Sequence, residues 1–134
     1  MSSAAGGSPP RVLIAEDDPH TRRINALALS FAGCETRDVG EGASAIRVAL
    51  EWRPDLLVID LAMPGVGGLA AIAEIKGRLG TEAPRVIVLT ARAMHEDRQA
   101  AQTAGCDVFL AKPIDPFDLV HEVRRLLAGK AGAP

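Results

Sequence analysis

The sequence predicts an α/β fold, a doubly wound, five-stranded parallel sheet with helices on both faces. Three observations point there. Strand-like and helix-like segments alternate about five times along the 134 residues. Three of the strand-like segments, residues 12–15, 56–59 and 86–89, are unbroken apolar runs. Such runs mark strands covered on both faces, as the central strands of a parallel sheet are. The helix-like segments, by contrast, carry apolar residues three and four apart and so bury only one side. No internal repeat, linker or shift in composition announces a second domain.

Each element follows from local chemistry. The first strand, 11–16, rests on Val12, Leu13, Ile14 and Ala15. Asp18 offers a side-chain acceptor to a helix start, and Pro19 suits the first helical position, where its missing N–H would have no partner. Ile24, Leu27, Ala28 and Phe31 recur at helical spacing and are expected to face inward, with Gly33 as the stop. Residues 34–39 form a shorter, more polar strand suited to an edge. The helix over 41–52 presents Ala45, Ile46, Ala49 and Leu50, with Trp52 at its margin and Pro54 beyond its end.

The strand over 56–60 delivers Asp60 to its carboxyl end. After it, Met63, Pro64, Gly65, Gly67 and Gly68 make a loop rather than more strand. The helix over 69–79 carries Leu69, Ile72, Ile75 and Leu79, weakened late by Gly77. Residues 84–90 give the fourth strand. The helix over 94–104 is Ala-rich with few large anchors and is expected to be the loosest. The last strand is 108–111, and the last helix, 116–127, points Phe117, Val120, Val123 and Leu127 inward. Residues 1–10, rich in Ser, Gly, Ala and Pro, read as a flexible tail, 11–128 as the domain, and 129–134 as a second tail.

Composition narrows the function. The length suits one domain with a real core. A net charge of −2 and basic runs no longer than Arg22-Arg23 and Arg124-Arg125 argue against nucleic-acid binding. One Trp, three Phe and no Tyr supply no stacking platform for bases or sugars. Cys34 and Cys106 stand outside any C-x-x-C motif and read as partly buried thiols in a reducing compartment. No apolar run approaches the ~18 residues of a membrane span, and the N-terminus has neither the basic region nor the apolar core of a signal peptide. A cytoplasmic protein that meets no membrane is the expectation.

In a parallel sheet the carboxyl ends of the strands share one edge. The first strand brings Glu16, Asp17 and Asp18 to that edge, the third Asp60, the fourth Thr90 and the fifth Lys112. Carboxylates ~4 Å apart repel by about 4 kcal/mol at an effective dielectric near 20, so they stay ionised only around a cation. Oxygen ligands in an open site favour Mg²⁺, which keeps positions for water or phosphate. A carboxylate held there, with Lys and Thr beside it, can act as nucleophile and phosphate cradle.

These residues resemble the receiver domain of two-component response regulators over nearly all of 11–127. The Glu16-Asp17 pair, the Asp60-x-x-Met63-Pro64-Gly65 run, Thr90-Ala91 and Lys112-Pro113 carry the likeness, each at the correct strand end. The resemblance implies a flavodoxin-like strand order of 2-1-3-4-5. It implies that Asp60 accepts a phosphoryl group from a phosphohistidine on a histidine kinase or histidine phosphotransfer protein. Mg²⁺ would be held by Asp17, Asp60 and the backbone carbonyl of Ala62, with Glu16 acting directly or through water. Lys112 would pair with the phosphoryl oxygens, next to a cis bond to Pro113. Thr90 and Phe109 would form the switch, reshaping the face made by the fourth helix, last strand and last helix for a downstream protein. Partner pairing would fall on the first helix around Arg22, Arg23 and Leu27.

The chain departs from the family pattern in places. Its acid pair is Glu-Asp where Asp-Asp is commoner. Gly67 stands where many relatives have Asp, leaving the next helix a weaker cap. Phe109 replaces a frequent Tyr, and positions 62 and 92, which modulate phosphoryl lifetime in the family, are Ala and Arg; Arg92 is expected to reach toward the phosphorylated site. Taken alone, Glu16-Asp17-Asp18 would be an acidic helix start. With Asp60, Thr90 and Lys112 in place, the site reading prevails. The resulting expectation is a stand-alone response regulator that signals by protein contact and is not an enzyme beyond its own phosphorylation and dephosphorylation. A receiver from a hybrid histidine kinase is the alternative. An aspartate-nucleophile phosphatase ranks far behind, because its second aspartate is replaced by Ala62. His20, His95 and His121 lack ligand spacing and read as solvated or capping residues.

Overall fold

Five short strands pair in parallel in the computed structural model, which describes residues 7–132, with side chains through Gly129. Residues 1–6 and 133–134, within the two expected tails, lie outside the described residues. The strands are β1 (Arg11–Ala15), β2 (Glu35–Val39), β3 (Leu56–Ile59), β4 (Arg85–Thr90) and β5 (Val108–Ala111), in the order β2-β1-β3-β4-β5. Between and after them run α1 (Pro19–Phe31), α2 (Gly42–Trp52), α3 (Gly68–Leu79), α4 (His95–Ala104) and α5 (Pro116–Gly132), with a 3-10 turn at Gly80–Glu82. This is the flavodoxin-like fold and strand order the sequence predicts.

Strand alternation divides the core in two. Leu13, Ala15, Leu57, Ile59, Val86 and Val88 face α2, α3 and Ala101 of α4. Val12, Ile14, Leu56, Val58, Ile87 and Leu89 face Leu29 of α1 and Leu119, Val120, Val123 and Leu126 of α5. Each fully buried Val, Leu or Ile contributes about 1.5–3 kcal/mol. β2 is the polar edge expected, and α4 buries only Ala101, in keeping with its lack of large anchors.

Two helices turn differently from expectation. On α1 the buried residues are Asn25 and Leu29, whereas Ile24 and Leu27 are exposed and Phe31 is 94% exposed. The apolar spacing is real, but two faces of this helix fit it, and the small Ala26, Ala28 and Ala32 let the Leu29 face approach the sheet. On α5, Val120 and Val123 are buried as expected, Leu119 and Leu126 join them, and Phe117 is 81% exposed. The helix also runs on to Gly132, past the expected end at Leu127. Trp52 is buried rather than marginal, with Arg37 and Arg11 guanidinium groups 4.7 and 5.7 Å from its ring.

Strand order and register place the site. β1 feeds β2 on one side and pairs with β3 on the other, so the chain reverses direction across the sheet at β1, which opens a crevice at the carboxyl ends of β1 and β3. Ala15 sits beside Ile59, and the Asp60 N–H donates to the Ala15 carbonyl at 3.1 Å. Glu16 and Asp60 therefore leave the sheet side by side. Thr90 sits beside Ala111, and the Lys112 N–H donates to the Thr90 carbonyl at 2.9 Å.

The β3–α3 loop folds back tightly at Gly68, whose N–H donates to Leu61 O at 3.1 Å. A Cβ there would run into the Asp60 carbonyl oxygen and lie 2.8 Å from Leu61 Cα, both backbone atoms with little room to yield. Gly77, in the same helix, faces open space. Gly68→Ala is expected to destabilise the protein by about 1–3 kcal/mol, and Gly77→Ala to stabilise it by about 0.5–1 kcal/mol. Urea unfolding midpoints of the two variants check this opposition in sign.

Candidate functional site

Four strand ends converge on the Asp60 carboxylate, which is buried. Its Oδ2 accepts from Lys112 Nζ at 2.7 Å. Its Oδ1 accepts from the Thr90 hydroxyl at 2.7 Å and from the Ala62 N–H at 2.9 Å. Lys112 Nζ also donates to Glu16 Oε1 at 2.6 Å, while Glu16 Oε2 accepts from the Asp18 N–H at 3.1 Å. Asp17 is exposed at the rim, and one carboxylate oxygen each from Glu16, Asp17 and Asp60 lies within 4.8 Å of the others. The structure thus brings Glu16, Asp17, Asp60, Ala62, Thr90 and Lys112 together, and the Lys112–Pro113 bond is cis.

Three carboxylates face one ammonium. Burial pushes the Glu16 carboxyl above its usual range, against the opposing pull of Lys112 and the Asp18 N–H. Burial alone would depress Lys112, but its hydrogen bonds to Asp60 and Glu16 win and hold it above the ordinary lysine value. The Lys112 ammonium is therefore permanent at neutral pH, and the pocket still lacks positive charge. An all-oxygen donor set with that deficit fits a small hard dication such as Mg²⁺. Both oxygens of Asp60 are fixed by donors, and a carboxylate held in this way can serve as a nucleophile.

Other residues fall elsewhere. Thr90 is the last, fully buried residue of β4, and its hydroxyl accepts the Arg92 N–H at 3.1 Å while donating to Asp60. The Arg92 side chain does not turn toward the pocket; its guanidinium lies on Asp97 of α4 at 3.4 Å. Phe109 is half-buried on the α4 side of β5, with the Arg98 guanidinium 4.7 Å from its ring centre. Gly67 caps α3 with no side-chain bond. Met63 is buried packing, and all three histidines are exposed.

The sequence reading missed one contact beside the pocket. Arg22 Nη1 donates to the Glu16 carbonyl at 2.8 Å. A signal was present: a cation close to a helix N-terminus opposes the helix dipole and needs a tertiary partner to explain it.

Comparison with known proteins converges on one family. The family model of the response regulator receiver domain matches residues 12–124. The chain is 36% identical over 125 residues to the probable transcriptional regulatory protein TcrX of Mycobacterium tuberculosis, covering 92% of this chain and 52% of that protein. It thus spans about half the length of the transcriptional regulators it matches. A CheY-like receiver domain protein from Methanospirillum hungatei superposes with a TM-score of 0.89 over 95% of this chain and all of its own, at 21% identity, a likeness of fold. The receiver domain of the sensor histidine kinase PA1611 from Pseudomonas aeruginosa, solved with a magnesium ion in its active site cleft, gives 0.79 at 29% identity, covering 87% of this chain and 96% of that one.

Among the described residues Lys112 is the one side-chain cation bonded to the pocket acids, and its loss has a definite pH signature. Glu16 binds its proton more tightly folded than unfolded, so its stabilising contribution is whole below the ordinary 4.5 and is lost as pH rises through the higher folded value. Removing Lys112 pushes that folded value further up. In metal-free buffer, the stability deficit of Lys112→Met relative to wild type is expected to widen by about 1–3 kcal/mol between about pH 4 and about pH 7. Urea midpoints at the two pH values measure it.

Proposed function

The chain belongs to the response regulator receiver family, and on that footing we propose that it is a signalling domain phosphorylated on Asp60 by a phosphohistidine donor. The observation that carries the reading is the Asp60 carboxylate itself, buried between the Lys112 ammonium and the Thr90 hydroxyl beside two further acids. An Asp60 oxygen attacks phosphorus, the P–N bond of the donor histidine breaks, and the imidazole leaves with the bonding pair. The product is an aspartyl phosphate. Burial of the carboxylate excludes competing water, and Lys112 moves from shared contact with Glu16 and Asp60 onto the phosphoryl oxygens.

Asp17, Asp60 and the Ala62 carbonyl hold Mg²⁺ in this reading, with Glu16 acting directly or through water. The magnesium in the cleft of the PA1611 receiver supports it. When bound, the ion neutralises charge on the transferring oxygens. The donor is a histidine kinase or histidine phosphotransfer protein. Thr90 follows the phosphoryl group, its bond to Asp60 being given up, and Phe109 moves with it under Arg98. The face of α4, β5 and α5 then presents the signal to a protein target, a population shift biased by the phosphoryl contacts.

In this reading the domain passes its signal by protein contact, touching neither nucleic acid nor membrane itself. Among the described residues no helix is long and apolar enough to cross a membrane. It is not an enzyme beyond its own phosphorylation and dephosphorylation. A second reading, a receiver within a hybrid kinase, draws support from the likeness to the receiver of a sensor kinase.

Incubation with acetyl phosphate and Mg²⁺ is expected to add one phosphoryl group to the wild type, seen by intact mass, and none to Asp60→Asn. Lys112→Ala is expected to slow the gain by about 100-fold. Equal gain in the wild type and Asp60→Asn would place the acceptor elsewhere.

A further inference from the structure

We propose that Arg22 is a positioning residue for the metal pocket, holding the Glu16–Asp17 turn in its cation-binding shape without touching the cation. The inference rests on the receiver reading and extends it to a residue outside the acid, Thr and Lys set.

Three observations support it. The peptide groups flanking Glu16 are gripped from the β2 side at both ends: its N–H donates to the Val39 carbonyl at 3.0 Å, and its carbonyl accepts from Arg22 Nη1 at 2.8 Å. The guanidinium is anchored in turn, with Nε 3.5 Å from Asp38 Oδ1 and the side chain only 24% exposed. Finally, Gly40 leaves the space the guanidinium uses, since a Cβ there would sit 2.8 Å from Arg22 Nη1. Asp38, Val39 and Gly40 thus form a seat at the end of β2, and Arg22 joins the acidic turn to it.

The consequence is geometric. The Glu16 carbonyl belongs to the peptide that leads into Asp17, the one pocket acid at the exposed rim. Rotation of that peptide swings the Asp17 carboxylate away from Glu16 and Asp60. A planar guanidinium can donate toward the carbonyl and toward Asp38 at once, which the single ammonium of lysine cannot match. Groups that orient metal ligands from behind typically govern affinity by 10–100-fold.

Calorimetric titration of the whole protein with Mg²⁺ tests this directly. Arg22→Ala is expected to weaken Mg²⁺ by about 10-fold or more, and Arg22→Lys to recover part of the loss. Gly40→Ala, which displaces the guanidinium without removing it, should shift affinity in the same direction. The neighbouring exposed Arg23→Ala should leave affinity unchanged. A second readout needs no metal: the Asp18 amide, bonded to Glu16 Oε2, should exchange hydrogen faster in Arg22→Ala. Mg²⁺ affinity within about twofold of wild type in Arg22→Ala, even with reduced urea stability, overturns the proposal, since ligand-orienting groups act well beyond that margin. A wild type that binds no Mg²⁺ would defeat the receiver reading instead. The exchange measurement then judges the clamp alone, and unchanged Asp18 protection would refute it.

Discussion

Acidic side chains crowd the carboxyl edge of this sheet because the backbone leaves them no alternative. Glu16 and Asp60 emerge from adjacent parallel strands in register, and one lysine, arriving from β5, spans both. Placing three carboxylates within 4.8 Å is unfavourable without cations, and Lys112 supplies only one charge. The fold maintains this strain through its central strands, whose apolar residues are almost wholly inaccessible to solvent. The site is rigid where charge must be held, at Asp60 and Thr90, and open at its rim, at Asp17.

That arrangement links packing to chemistry at each step. The apolar runs within β1, β3 and β4 set the register, the register aligns the strand ends, and the reversal at β1 opens the crevice above them. Gly68 then lets the loop after Asp60 fold onto the strand's own backbone. The three donors on Asp60 come from three separate segments, the end of β4, the residue after β5 and its own following loop, so its orientation reports the integrity of that edge. Thr90 ties the pocket to the loop after β4, its hydroxyl donating to Asp60 and accepting from the Arg92 N–H.

Much of this was legible in the residues. Unbroken apolar runs identified the buried strands, and the residue ending each run named the pocket, because a parallel sheet gathers those ends whatever the loops do. Helix orientation was less legible. The Ile24, Leu27 and Phe31 stripe has proper helical spacing yet faces solvent, since the sheet selects the face whose small alanines permit close approach. Long-range polar contacts were least legible: spacing says nothing of where a flexible arginine ends. Arg92 and Arg22 show this in opposite senses, one turning away from the pocket to Asp97 and the other reaching back to Glu16.

The central claim is that a charge deficit at this edge is completed by a small divalent cation. An amide-resolved magnetic resonance titration with Mg²⁺, repeated on Asp17→Asn, tests it most directly. Saturable shifts concentrated at residues 16–18, 60–62, 90–92 and 112, lost in the variant, are the predicted result. Absence of saturation at millimolar Mg²⁺, or identical shifts in Asp17→Asn, would contradict it.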